Sequence, residues 1–158
     1  MVSYAKIAVK KKPYGKNTKE GRYHENRVQQ RFNPGQENKI WAGDITYIKT
    51  GLGWVYLSVV MDLYNREIIG YDISKKVDTE LAKRALGNAI GRRGRGDGLI
   101  FHSDRGCQYA SKGYHDMLES NGIEGSMSWL GCPYDNSCVE NFFSSLKSRR
   151  YTERGMIQ

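Results

Sequence analysis

No uninterrupted apolar stretch in this 158-residue chain approaches the roughly 18 residues that a membrane-crossing helix needs. Lysines near the N-terminus are followed by no apolar core, so they do not form a secretory signal. Cysteine is scarce: Cys107, Cys132 and Cys138 are an odd number without C-x-x-C spacing. That argues against a disulfide framework or a zinc site and favours a reducing cytoplasm. The glycine-rich stretch 91–98 lacks G-x-G-x-x-G in a strand-to-helix context, so a Rossmann arrangement is not indicated. There is no internal repeat. Apolar residues make up only 39% of the chain, low for a compact domain, so some segment must dilute them.

Residues 1–31 are that segment. They hold Lys6, Lys10, Lys11, Lys12, Lys16, Lys19, Arg22, Arg27 and Arg31 against only Glu20 and Glu25, and so carry most of the formal net charge of +8. A local basic run favours a polyanion, with nucleic acid first and an anionic membrane second. The plainer reading is a solvated arm that aids solubility. Breakers at Pro13, Gly15, Gly21, Pro34 and Gly35 and the lack of apolar periodicity make 1–38 an arm or linker, expected to be disordered. Residues 39–158 are then the folded domain, a length that buries a real core.

From Trp41 the pattern changes. Asp44 to Lys49 alternates, with Ile45 and Tyr47 on one face and Asp44, Thr46 and Ile48 on the other. Trp54 to Met61 is almost continuously apolar, as a strand covered on both faces should be. Residues 67–73 make a third strand, and the short connections imply an antiparallel meander. A helix follows, with Thr79 as its expected cap and Leu81, Ala85, Leu86, Ala89 and Ile90 on one face. Residues 98–103 form a fourth strand, parallel to a meander strand because a helix makes the crossover. A second helix runs from a Ser111 cap to Ser120, a short strand over 123–127, and a last helix from about Asp135 to Tyr151. The order β-β-β-α-β-α-β-α describes an α/β fold built on a mixed five-stranded sheet.

Three acids fall at telling places. Asp44 lies mid-strand among neighbours that look buried, where a lone carboxylate is costly unless it takes up a proton or meets a cation. Asp104 ends its strand, and Glu140 follows it after thirty-five residues, on the last helix. Asn136 and Lys147, four before and seven after Glu140, share its helical face, while Phe142, Phe143 and Leu146 can pack the other. Three carboxylates from three elements suit two divalent ions and phosphodiester displacement, with Lys147 on a backbone phosphate. Each acid also has a plain explanation: Asp104-Arg105-Gly106 as a turn, Asp135-Asn136 as a helix cap. His102 reads as a hydrogen-bonded histidine shaping the site rather than a ligand. Asp62 is a rival carboxylate at a strand end, although capping the turn before Arg66 is the more natural reading. Tyr109, Trp129 and Tyr134 are candidates for base stacking, with packing equally open. His24 and Glu25 have no partner legible in the sequence.

The blocks Trp41-Ala42-Gly43-Asp44-Ile45-Thr46-Tyr47-Ile48, His102-Ser103-Asp104-Arg105-Gly106-Cys107-Gln108-Tyr109 and Pro133-Tyr134-Asp135-Asn136, continuing to Glu140-Asn141-Phe142-Phe143 and Leu146-Lys147, resemble the catalytic core of bacterial insertion-sequence transposases. These have a DDE core similar to retroviral integrases. The resemblance covers about residues 26–154 and implies a ribonuclease H-like fold. It also implies Asp44, Asp104 and Glu140 as catalytic, metal-binding residues, a basic partner at Lys147, and Mg²⁺ or Mn²⁺ as cofactor, two ions in all. Asn136 and the arm lysines Lys10, Lys11 and Lys12 join Lys147 as expected DNA contacts. The implied reaction is nicking at element ends to free a 3′-hydroxyl, then strand transfer into target DNA. A homo-oligomer in a bacterial cytoplasm is implied as well. Family members usually carry a helical DNA-binding region before the core and a further helix after it, so the chain is expected to be truncated and its sheet short of one covering helix. A catalytically idle DNA-binding fragment is the alternative expectation, and a ribonuclease the rival enzyme.

Overall fold

A computed structural model describes residues 22–154. Strands β1 (Ile40–Thr50), β2 (Gly53–Asp62) and β3 (Glu67–Ser74) form the expected antiparallel meander. Helix α1 (Thr79–Arg93) crosses to β4 (Ile100–Ser103), and α2 (Lys112–Ser120) crosses to β5 (Glu124–Met127). A single 3-10 turn (Pro133–Asn136) leads into α3 (Ser137–Arg154). The sheet order is β3-β2-β1-β4-β5, with β4 parallel to both β1 and β5.

The alternation read in β1 sorts the core into two layers. Trp41 and Ile45 face α1 and α2 and pack with Leu81, Leu86, Phe101, Tyr114 and Leu118. Ala42 lies in the opposite layer with Leu57, Val59 and Met61 of β2, under Val139 and Phe143 of α3. Asp44 shares the parity of Ala42 and pairs in register with Val59, so its side chain belongs to the α3 side of the sheet. The sheet approaches α1 closely at Gly70. A Cβ there would meet the Ala85 carbonyl oxygen at 2.4 Å and the Ala89 nitrogen at 2.6 Å, backbone atoms that cannot turn aside.

The cap of α1 is Asp78, one residue before the Thr79 expected: its Oδ1 accepts from the Leu81 N–H at 2.9 Å. Thr79 is already helical, and the longer carboxylate reach serves the same donor. Ser111 caps α2 as read, accepting from the Tyr114 N–H. Asp62 is fully buried and holds a turn: its carboxylate accepts from the Tyr64 and Asn38 N–H groups, both at 3.0 Å.

The boundary drawn at residue 38 does not match the packing. Residues 22–38 form no helix or strand, yet Val28 is 1% exposed and Asn26 4%. Their backbone and side chains bond to β5, to the loop after it and to the 3-10 turn, so this part of the arm belongs to the folded body.

Candidate active site

Asp44 and Asp104 come together through strand register. β1 and β4 pair in parallel with Ala42 opposite His102. Two residues further on are Asp44, within β1, and Asp104, one residue past the end of β4. Asp44 is 5% exposed and its Oδ1 accepts from the Ile45 N–H at 2.8 Å. Asp104 is half-buried; its Oδ1 accepts from the Gly106 N–H at 2.9 Å, so the Asp-Arg-Gly turn does act as a turn while aiming the carboxylate. The buried Tyr109 phenol feels both acids. Its pKa is pushed well up, first by desolvation, then by Tyr114, then by Asp44 and Asp104. Its hydroxyl makes no hydrogen bond of normal geometry. Tyr109 is thus a core residue beneath the acids and not a surface for base stacking, whereas Trp129 is 55% exposed.

Helix α3 lies along β1. At its start Asn136 donates from its amide to the Gly43 carbonyl at 3.2 Å. Seven residues beyond Glu140, Lys147 places its Nζ 5.0 Å from the centre of the Tyr47 ring. Helix and strand therefore run side by side from Gly43 to Tyr47. Glu140, about 6 Å along the helix from Asn136, falls at the level of Asp44 and Ile45. Val139 and Phe143 point into the sheet; Glu140 is exposed and Lys147 half-buried. The shared face read for Glu140 and Lys147 is present. Asn136 is 7% exposed and spends its NH₂ on β1, so it anchors the start of the helix. Lys10, Lys11 and Lys12 lie outside the described residues, as does the side chain of Tyr134.

The donor set is all oxygen, which suits Mg²⁺ or Mn²⁺, since such ions keep several waters and need few protein carboxylates. A further oxygen, Asn136 Oδ1, is buried beside β1 without a hydrogen bond. The three acids are not gathered as a closed cage: among the described residues no group of three or more His, Cys, Asp or Glu is set to hold a metal.

His102 sits behind the acids, 1% exposed, as a structural histidine. Its Nε2 lies 2.9 Å from the Asp135 carbonyl, which can only accept, so Nε2 carries the proton. Nδ1 then accepts from the Ser126 hydroxyl at 2.9 Å. Burial holds the His102 pKa below 6.5, outweighing the opposite pull of Asp135 and Asp104. His24 is also held down, first by burial, then by His115 and Arg27. Its ring stacks on His115 at 4.9 Å, a partnership across the fold.

Both histidines have native pKa values below the unfolded one. Between the two values the unfolded chain binds more protons, so their contribution is full above pH 6.5 and declines as pH falls below it. The melting temperature at fixed ionic strength should fall from pH 6.5 towards 5.5, and His102→Gln should flatten that fall. A flat wild-type profile through this window would contradict the assignment.

Sequence reasoning passed over Asn26 and Gln30, and the packing roles of Gly43 and Asp135. A Cβ at Gly43 would lie 2.3 Å from the Phe101 ring tip, so the residue before Asp44 must be small. Asp135, read as a cap, is fully buried and accepts four hydrogen bonds: from Gln30 and Cys132 on one oxygen, and from Asn26 and the Trp129 N–H on the other.

Comparison with known proteins agrees with this architecture. Residues 34–133 match the integrase core domain family. The InsF transposase for insertion sequence IS3A of Escherichia coli K12 is 49% identical over 123 residues, 78% of this chain and 43% of its own length. This chain thus spans less than half of that curated relative. The simian T-cell lymphotropic virus intasome in complex with the PP2A regulatory subunit B56 gamma superposes with a TM-score of 0.70 at 22% identity, covering 90% of this chain and 50% of that one. The HTLV-2 integrase catalytic core in complex with magnesium, in its trimeric form, superposes at 0.63 with 22% identity, covering 75% and 74%. These two likenesses establish the ribonuclease H-like fold of retroviral integrase cores. With its match covering most of the folded body, this chain belongs to the integrase core domain family.

Proposed function

We propose that this chain is the catalytic core of a DNA transposase, acting by metal-dependent nicking at element ends and transfer of the freed 3′-hydroxyl to target DNA. The observation that supports the reading is the parallel β1–β4 register, Ala42 opposite His102, each two residues before one of the acids Asp44 and Asp104. Family membership and the transposase relative support it. Asp44 and Asp104 would hold Mg²⁺ or Mn²⁺, with Glu140 completing the set. Bound divalent ions supply an activated nucleophile and charge neutralisation at the leaving oxygen. Lys147, whose ammonium group lies over the Tyr47 ring, orients a backbone phosphate. The arm lysines Lys10, Lys11 and Lys12 add salt-sensitive affinity for DNA.

The solved HTLV-2 core is described as trimeric, which supports a homo-oligomer for the active form here. The bacterial cytoplasm, where the DNA of such an element lies, is the proposed compartment. Among the described residues no helix is long and apolar enough to cross a membrane.

The test is incubation with Mn²⁺ and duplex DNA carrying the ends of the parent element. Nicked product ending in a 3′-hydroxyl, lost on chelation, is expected; intact DNA at every Mn²⁺ concentration would overturn the reading. The alternative is a DNA-binding fragment that does not cleave, a reading that the basic run over 1–31 also fits. It would show affinity falling steeply with salt and no nicking.

A further inference from the structure

We propose that residues 26–30, upstream of the matched core, are a clamp that sets the position of Glu140, with Asn26 and Gln30 acting as positioning residues through Asp135. The inference rests on the reading of Glu140 as the third carboxylate of the site. Asp135 lies in the turn that delivers α3, five residues before Glu140. Asn26 Nδ2 donates to its Oδ2 and Gln30 Nε2 to its Oδ1, both at 3.1 Å.

A second route joins the same two segments. The Arg27 N–H donates to Ser126 Oγ, the Ser126 hydroxyl to His102 Nδ1, and His102 Nε2–H to the Asp135 carbonyl, each at 2.9 Å. Both faces of the turn are therefore tied to 26–30, by side chain and by backbone. Asn136, next in sequence, ties it to Gly43.

The clamp is held in a costly shape. Gln29 and Gln30 are consecutive non-glycine residues with φ of 48° and 62°. Such backbone persists only where surroundings over-determine it. Here Asn26 Oδ1 accepts from the Gln29 N–H at 2.8 Å and the Val28 carbonyl accepts from the Arg31 N–H at 2.9 Å. Val28, between them, is 1% exposed and plugs the turn into the body. Asn26 thus closes the strained turn with its oxygen and grips Asp135 with its nitrogen. Glu140 lies on the first turn of α3, directly after the turn that Asn26 and Gln30 grip. Its position is that of the backbone, and the backbone is set at Asp135 and Asn136.

The test compares the full chain with Gln30→Ala and with Asn26→Ala/Gln30→Ala, by amide hydrogen exchange and by the Mn²⁺ concentration that gives half the maximal thermal shift. Exchange over residues 137–143 should rise about tenfold or more in the double variant, and less in the single, while β1 and β2 amides stay unchanged. The Mn²⁺ midpoint should rise in the same order. The exchanged pair Asn26→Asp/Asp135→Asn, which rebuilds one bond with donor and acceptor reversed, should recover part of both losses. Unchanged exchange over 137–143, or a rise shared equally by the whole sheet, would overturn the clamp. A wild-type chain that ignores Mn²⁺ would instead overturn the metal reading, and the exchange pattern would still decide the clamp.

Discussion

Asp104→Asn should reduce Mn²⁺-dependent nicking at least about a thousandfold, close to 4 kcal/mol of lost transition-state stabilisation. The substitution is nearly isosteric. The amide oxygen can still accept from the Gly106 N–H, so the turn and the end of β4 keep their shape. What is lost is the negative charge beside Asp44, the feature that would draw a divalent cation and hold it against a phosphate. A melting temperature within a few degrees of wild type would show that the fold survives. Nicking that persisted unchanged in Asp104→Asn, in a preparation that nicks as wild type, would remove Asp104 from the chemistry and with it the paired-acid reading.

Phe143→Ala should destabilise the chain by about 3–5 kcal/mol. Phe143 is 6% exposed and, with Val139, forms the seat of α3 on the layer of Ala42, Leu57, Val59 and Met61. Cys138, Phe142 and Leu146 pack beside them, only partly buried. Truncating the ring leaves a cavity under the turn that follows Glu140, so activity should fall with stability even though Phe143 touches no DNA. Denaturant unfolding gives the measurement. A loss below about 1 kcal/mol would mean that α3 contributes little to the cooperative unit.

The sequence carried the parts of this fold that depend on local pattern. Alternation along 44–49 put Asp44 opposite Ile45, and the structure keeps those faces. Helical phase put Glu140 and Lys147 together and turned Phe143 inward. The helix cap at Asp78 was missed by one residue because neighbouring Thr and Asp both qualify and only backbone geometry separates them. The clamp was not legible at all. Asn26 and Asp135 are 109 positions apart, and neither carries an apolar period or a charge partner that would mark them. Segment 22–38 resembled a linker because its order comes from side-chain hydrogen bonds and a single buried valine, which hydropathy does not register. His24 seemed partnerless for the same reason, since His115 meets it only after α2 has packed.

The central claim is that Asp44, Asp104 and Glu140 bind divalent cations as one site. Divalent-cation binding addresses it directly. Melting should be followed with and without excess Mn²⁺ for the wild-type chain and for Asp44→Asn, Asp104→Asn and Glu140→Gln. A cation at about a hundred times its dissociation constant stabilises the native state by about 2.7 kcal/mol. The account predicts a clear upward shift for wild type, none for either Asp variant, and a reduced shift for Glu140→Gln. Equal shifts in all four proteins, or none in wild type, would contradict the claim that these three side chains make one site.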